Sequence, residues 1–337
     1  MKILGIETSC DECSVAVVED GRRLIAQRIA SQVAYHAPYS GVVPEIASRK
    51  HAEWILDVYR RTLADAGLSS VDLDGVAVTT RPGLTGSLVV GLSFAKALAM
   101  SLDIPLVGVN HILAHLYAPH LEYRIDYPYL GLLVSGGHTL IARVDEAERI
   151  EVLGTTVDDA CGEAFDKVAK FLDLGYPGGV AIDRLARRGS PQAFSFPLAV
   201  VDSGPGRYDV SYSGLKTAVA GQREKFRDRR FEATPENIAA SFEKAAVETV
   251  VLQVERAAAD TGVDTLVVGG GVAANTYLRR RLSGRQDLRA VFPSMELCTD
   301  NGAMIAGLGY RYLKDGRGDP LTIGVSARVA GYRGRPS

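Results

Sequence analysis

The stretch Leu130-Gly131-Leu132-Leu133-Val134-Ser135-Gly136-Gly137-His138-Thr139-Leu140-Ile141-Ala142 decides how the rest of the chain is read. An apolar run enters, a small polar turn follows, and a second apolar run leaves, the pattern of a buried β-hairpin. The two glycines remove the Cβ atoms that would hold a ligand away from the main chain. A concave row of backbone N–H groups beside hydroxyls suits a phosphate. An isolated Ser-Gly-Gly reads equally well as a tight turn and nothing more. The repetition of the design shifts that balance. Residues 2–6 and 14–18 are apolar runs that flank Glu7-Thr8-Ser9-Cys10-Asp11-Glu12, again strand, small polar turn, strand. The repeat implies two related lobes, each opening on a hairpin.

Working outward, the first lobe alternates strand and helix patterns. Apolar residues fall at helical spacing over 47–66 behind Pro44, 75–79 reads as a strand, 88–102 as a helix and 105–109 as a strand. Asn110 reads as the N-cap of a short helix over 111–118. The second lobe continues with helices over 162–173, from Val180, over 234–261 and over 273–282, a strand over 264–268, and a last helix after Asn301-Gly302. Residues 190–230 break the alternation and read as an irregular insertion. The expected organisation is α/β, with one lobe over 1–126 onto which 300–337 packs back, and a second over 127–299.

Composition fits that architecture: 337 residues, 47% hydrophobic and 23% charged, are ordinary for a globular protein of two domains. A net charge of −2 supplies no global field for nucleic acid, so such a partner needs a local patch. The basic stretches 222–230 and 279–281 are candidate phosphate contacts, and equally solvated faces. No apolar segment reads as long enough to span a membrane, and the chain enters a strand pattern without a signal peptide, so a cytoplasmic protein is expected. Cys10 and Cys13 form a C-x-x-C without the second pair that zinc wants; Cys161 and Cys298 lie far away, and reduced structural cysteines are expected.

His111 and His115, at i and i+4, share one helix face, the spacing of two imidazoles on a common metal. Two capping or surface histidines would give the same pattern. The zinc-protease motif needs a glutamate after the first histidine, and Ile112 stands there. Two histidines also need a carboxylate from elsewhere to make a site suited to Fe(II) or Zn(II). Gly269-x-Gly271-x-x-Ala274 partly fits a dinucleotide fingerprint, but the stretch Ala290-Val291-Phe292-Pro293 lacks its acid. A nucleotide resting on this glycine-rich helix start, with Asn275 as a partner, is the plainer use. Asp166 and Asp183, near turns, could bind ribose hydroxyls, although exposed helical acids are the default. No Gly-Lys-Ser/Thr phosphate loop occurs.

Taken together and in order, these pieces resemble the TsaD family, which makes threonylcarbamoyladenosine in tRNA and was formerly described as a glycoprotease. The resemblance rests on Gly5–Glu12, Gly41–Arg49, Asn110-His111 with His115, Val134–Thr139, Gly162–Lys167, Tyr176–Gly179, Ser213–Val219, Gly269–Asn275 and Cys298–Ala303. It implies the two-lobed actin/Hsp70/sugar-kinase fold with a nucleotide cleft between the lobes. It implies His111, His115 and Asp300 as metal ligands, with one divalent metal, Fe(II) favoured and Zn(II) possible. Val134, Ser135, Gly136, Gly137 and His138 would bind the phosphate or acyl part of an ATP-derived adenylate. Asp166, Gly179, Asp183 and Asn275 would hold its adenosine. Asp11 or Glu12 would manage the proton.

The implied reaction moves a threonylcarbamoyl group from threonylcarbamoyl-adenylate to N6 of the adenosine beside the anticodon in tRNAs that read ANN codons. A TsaB-like paralogous subunit and a small TsaE-like ATPase are the implied partners. Four positions depart from the family pattern, namely Cys13, Arg81, Leu113 and Leu140. An ATPase or small-molecule kinase of the same fold is the first rival, and a silent scaffold subunit, a metalloprotease and an NAD enzyme follow it.

Overall fold

The computed structural model describes residues 1–39, 41–147, 149–201 and 207–329. These fall into two compact units, Met1–Ile125 together with the segment from Pro293, and Asp126–Phe292. Parts of two expectations, 202–206 of the insertion and 330–337 of the returning segment, lie outside the described residues.

The first unit runs β1 (Lys2–Glu7), β2 (Glu12–Glu19), β3 (Arg23–Ser31), α1 (Val33–His36), α2 (Pro44–Ala66), β4 (Gly75–Arg81), α3 (Thr85–Leu102), β5 (Leu106–Asn110) and α4 (His111–Tyr117). The second runs β6 (Tyr129–Val134), β7 (Thr139–Val144), β8 (Ile150–Thr155), α5 (Cys161–Phe171), α6 (Gly178–Ala186), α7 (Tyr212–Phe226), α8 (Pro235–Thr261), β9 (Thr265–Gly269), α9 (Thr276–Ser283) and β10 (Arg289–Val291). The chain then returns to the first unit with α10 (Gly302–Lys314).

Both sheets have five strands and one plan, β3-β2-β1-β4-β5 and β8-β7-β6-β9-β10. In each, the hairpin strands pair antiparallel and the later strands join parallel to the hairpin's first strand. The central strands β1 and β6 are covered on both faces, which is why their sequences are continuous apolar runs rather than alternating ones.

Local signals fix the helices. Pro44 opens α2 at a position whose N–H needs no partner, and Gly67 closes it with a left-handed φ of 64°. Thr234 caps α8 by accepting from Asn237 N, and Asn301 caps α10 by accepting from Met304 N. Helix α10 lies directly on β1, because a Cβ added to Gly5 would stand 2.1 Å from the Gly302 carbonyl oxygen. No other residue fits there.

Four readings need correction. Helix α3 is long and apolar enough, by length and composition, to cross a membrane, contrary to the sequence reading; Leu92, Ala95 and Ala99 pack it into the core of the first unit. The stretch 190–230 is not wholly irregular, since it holds α7. The carboxylate of Asp158 caps that helix, accepting from Tyr212 N and from Ser213 Oγ, so its start signal is remote in sequence. Strands β3 and β8 have no counterpart in the sequence reading, because each is an edge strand, poorly buried and weak in apolar pattern. The C-x-x-C does not lie wholly in the turn between the first two strands, as its sequence position suggests: Cys13 is within β2, fully buried, and none of the four cysteines is in a disulfide among the described residues.

Candidate functional site

In the first unit, the chemistry collects where the parallel strands β1, β4 and β5 end. Strand β5 closes on Asn110, whose side chain accepts from Ile112 N at 2.9 Å and so starts α4. One helical turn then places the rings of His111 and His115 edge to face, 4.6 Å between centroids. Asp300 enters from the segment before α10. Its Oδ1 lies 3.0 Å from His115 Nε2 and 3.6 Å from His111 Nε2. One ligand atom from each of the three residues lies within 4.8 Å of the others, and both histidines are buried.

The other ring nitrogen of His111 is held from behind. Its Nδ1 stands 2.9 Å from Glu7 Oε2, an oxygen that also accepts from Thr79 Oγ1 at 2.6 Å. The second Glu7 oxygen accepts from Ser9 N at 2.5 Å. Ser9 Oγ also approaches His111 Nδ1, at 3.3 Å. His115 Nδ1, in contrast, is buried with no hydrogen-bond partner among the described residues.

Electrostatics follow from this crowding. Burial pushes the His111 pKa down, but the carboxylates of Asp300 and Glu7 overcome it and raise it to about 9. Burial pushes Glu7 up, and the His111 ring pulls it below the ordinary carboxylate range. His115 is lowered, by burial first and then by the neighbouring His111. Glu12 is driven up to about 9 by burial, then by Asp300 and Asp11. Two imidazoles converging on a carboxylate, among further buried acids, form a donor set that fits a divalent cation, whose charge would relieve the repulsion. Ile112, where a zinc protease carries its base, is buried and apolar.

The second unit places its residues by the same rule, where the parallel strands β6 and β9 end. Residues 135–138 form a closed turn: Ser135 N donates to the His138 carbonyl, and His138 N donates to Ser135 Oγ at 3.0 Å. A Cβ on Gly136 or Gly137 would meet nothing within 4 Å, and the same holds for Gly179 and Gly271. The constrained glycine of the 269–271 loop is Gly270, with φ 90° and a virtual Cβ 2.4 Å from the Val134 carbonyl oxygen. The dinucleotide fingerprint, which selects Gly269 and Gly271, therefore misses the residue the backbone requires.

Asp166, Asp183 and Asn275 are anchored rather than solvated. Asp166 Oδ1 accepts from Gly178 N at 2.8 Å and so starts α6. Asp183 Oδ1 accepts from Thr276 N and Oγ1, joining α6 to the start of α9. Asn275 Oδ1 accepts from Leu278 N, while its Nδ2 donates to Glu243 Oε1 at 2.7 Å. Glu243, on α8, is buried. Burial and the nearby Asp183 raise its pKa to about 8, against the Asn275 hydrogen bond and Arg280. The carboxylate of Asp166, on α5, thus meets the first turn of α6, which holds Gly179, while Asp183, Asn275 and Glu243 form one network.

Glu7 and Glu243 were not singled out from the sequence. The available signal was an acid at the end of a buried strand in one case, and a lone acid within the apolar run Ile238–Val247 in the other. The basic stretches are folded into local contacts. Arg281 pairs with Glu248 and Glu255, Arg279 donates to the Ala273 carbonyl and lies over Phe292, and Arg230 pairs with Asp228.

Comparison with known proteins bears on this site. Residues 23–307 match the family model TsaD, described as tRNA N6-adenosine threonylcarbamoyltransferase. A protein of that name from Treponema denticola is 58% identical over 332 residues, covering 98% of each chain. Another from Treponema pallidum is 53% identical, over 97% of this chain and 93% of its own. One from Borreliella burgdorferi is 49% identical, over 99% and 96%. Among solved structures, HypF of T. kodakarensis aligns with a TM-score of 0.64 at 16% identity, over 93% of this chain and 48% of its own. Component A of the Acidaminococcus fermentans (R)-2-hydroxyglutaryl-CoA dehydratase aligns at 0.56 and 14% identity, over 93% and 99%. At such identity these structures speak to the fold alone, the α/β frame of the actin, Hsp70 and sugar-kinase type.

Proposed function

The chain belongs to the TsaD family, and on that premise we propose that it transfers the threonylcarbamoyl group of threonylcarbamoyl-adenylate to N6 of the adenosine beside the anticodon in tRNAs that read ANN codons. The observation that carries the reading is the convergence of His111, His115 and Asp300. These three residues would hold one divalent metal, iron(II) favoured and zinc(II) possible, which would supply Lewis-acid stabilisation of charge on the acyl carbonyl.

The N6 amine is a weak nucleophile because its lone pair is delocalised into the ring. Activation therefore comes from the acyl side, and the protein's part is to hold the donor and move one proton. Ser135 and His138 close their turn on each other. With no side chain at Gly136 or Gly137, where an added Cβ would meet nothing within 4 Å, the backbone of this turn is left for the adenylate phosphate. Gly179 lets a nucleoside approach the start of α6, and Asp166, Asp183 and Asn275 hold its adenosine on side chains already fixed by the fold. As the N–C bond forms and the acyl–phosphate bond breaks, AMP leaves and the N6 proton passes to Asp11, since Glu12, raised to about 9, already holds its own. The target base lies in a loop, where unstacking costs less than in a duplex.

A TsaB-like subunit and a TsaE-like ATPase complete the system in this reading, in the cytoplasm. The test is reconstitution with the partners, threonine, bicarbonate, ATP, the separate synthase and unmodified tRNA, followed by nucleoside mass analysis. Threonylcarbamoyladenosine should form with wild type and vanish with His115→Ala. Equal product from that variant contradicts the metal role.

A further inference from the structure

Glu7 has no part in the reaction as described above, yet it is fully buried and accepts from three groups. Those donors come from three places: His111 Nδ1 beyond β5, Thr79 Oγ1 on β4, and Ser9 N in the turn after β1. A carboxylate fixed this firmly dictates the state of the ring it faces. Once a cation displaces the other ring proton, an imidazole that still donates its Nδ1 proton to a carboxylate presents Nε2 as its lone-pair nitrogen. The Nε2 of His111 is the atom that faces Asp300 Oδ1, at 3.6 Å. The neighbouring ring has no such backing among the described residues, where His115 Nδ1 has no hydrogen-bond partner.

We infer that Glu7 is a positioning residue of the metal centre: it fixes the tautomer and orientation of His111 and so sets the affinity of the His111–His115–Asp300 group for a divalent cation. The inference rests on reading that group as a metal site. His111 is then the preset ligand and His115 the one that adapts. Carboxylates behind ligating histidines contribute on the order of 10–100-fold to metal affinity. Thr79 matters in turn, because it shares the Glu7 oxygen that holds the ring.

The test is zinc(II) titration of the full-length chain by calorimetry, with a competing chelator, on wild type, Glu7→Gln, Thr79→Val and His111→Ala. Glutamine keeps one acceptor but loses the charge and one oxygen. Zinc affinity should fall roughly 10–100-fold in Glu7→Gln, and by a smaller factor in Thr79→Val. If Glu7→Gln does not fold, the threonine variant and the nitrogen-15 NMR spectrum of zinc-loaded wild type decide the question. The His111 ring should carry its proton on Nδ1 and the metal on Nε2. Zinc affinity within twofold of wild type in a folded Glu7→Gln, or metal on Nδ1, overturns the inference. Wild-type affinity in His111→Ala instead overturns the metal reading itself, so the two failures are distinguishable.

Discussion

The hairpins β1–β2 and β6–β7 hold equivalent places, each at the centre of a five-stranded sheet with antiparallel strands to one side and parallel strands to the other. Their turns carry opposite chemistry. The first is packed with ionisable groups: Glu7 and Asp11 are buried, Glu12 is raised to about 9, and the glycine of its entry strand is locked against Gly302. The second ends in Gly136 and Gly137, where an added Cβ would meet nothing within 4 Å. On the proposed reading, one frame yields two kinds of binding surface, one suited to a cation and one to an anion. The strand order fixes where a site falls, at the carboxyl ends of the parallel strands, and the turn residues decide what it takes.

The strongest attempt to break this comparison removes a ligand on the cation side. Asp300→Ala should cost roughly 10²–10³-fold in turnover, the scale of losing one preorganised electrostatic contact. Its affinity for AMP, measured by calorimetry, should stay within a factor of about two, because the residues proposed to hold the nucleotide belong to the other unit's network. Parallel loss of both would show that the two surfaces are not separable.

The glycines sharpen the contrast. Gly5→Ala drives a Cβ into the Gly302 carbonyl and should lower unfolding free energy by about 3 kcal/mol in urea titrations. Gly136→Val adds its side chain in open space and should leave stability within about 0.5 kcal/mol of wild type. It should nevertheless weaken AMP binding roughly tenfold, the equivalent of about 1.4 kcal/mol. Equal stability effects at the two positions would erase the distinction.

The smallest effect concerns Glu243, whose pKa of about 8 lies above its ordinary value of 4.5. Between those values the folded chain keeps a proton that the unfolded chain has lost, so folding stability falls as pH rises through that window and levels off above it. Glu243→Gln cannot titrate. The wild-type-minus-variant difference in melting temperature should therefore shrink steadily from pH 5 to pH 8, and a flat difference would contradict the assignment.

The sequence was legible where the physics is local. Double-sided burial made β1 and β6 continuous apolar runs, and Asn110, Pro44 and Asn301 announced helix starts. It was illegible where a partner comes from far away. Helix α7 depends on Asp158, and Glu7 takes its meaning from Thr79 and His111. Asp300 has no local pattern that pairs it with His115, 185 residues away, and only the family resemblance supplied it. Glu243 looked like a misplaced surface acid until Asn275 and Asp183 were seen beside it. Helix α3 shows the converse. Its composition passes for a membrane span, and only its packing face shows that it belongs to a core.

The most direct test of the whole account supplies preformed threonylcarbamoyl-adenylate and unmodified tRNA, without ATP, to the purified chain with its partners, and measures AMP and modified nucleoside together. The account predicts one AMP released for each threonylcarbamoyladenosine formed, and neither product from His111→Ala. A chain that leaves the tRNA unmodified under these conditions, yet turns ATP into ADP when ATP is added, would instead be a kinase or ATPase built on the same frame.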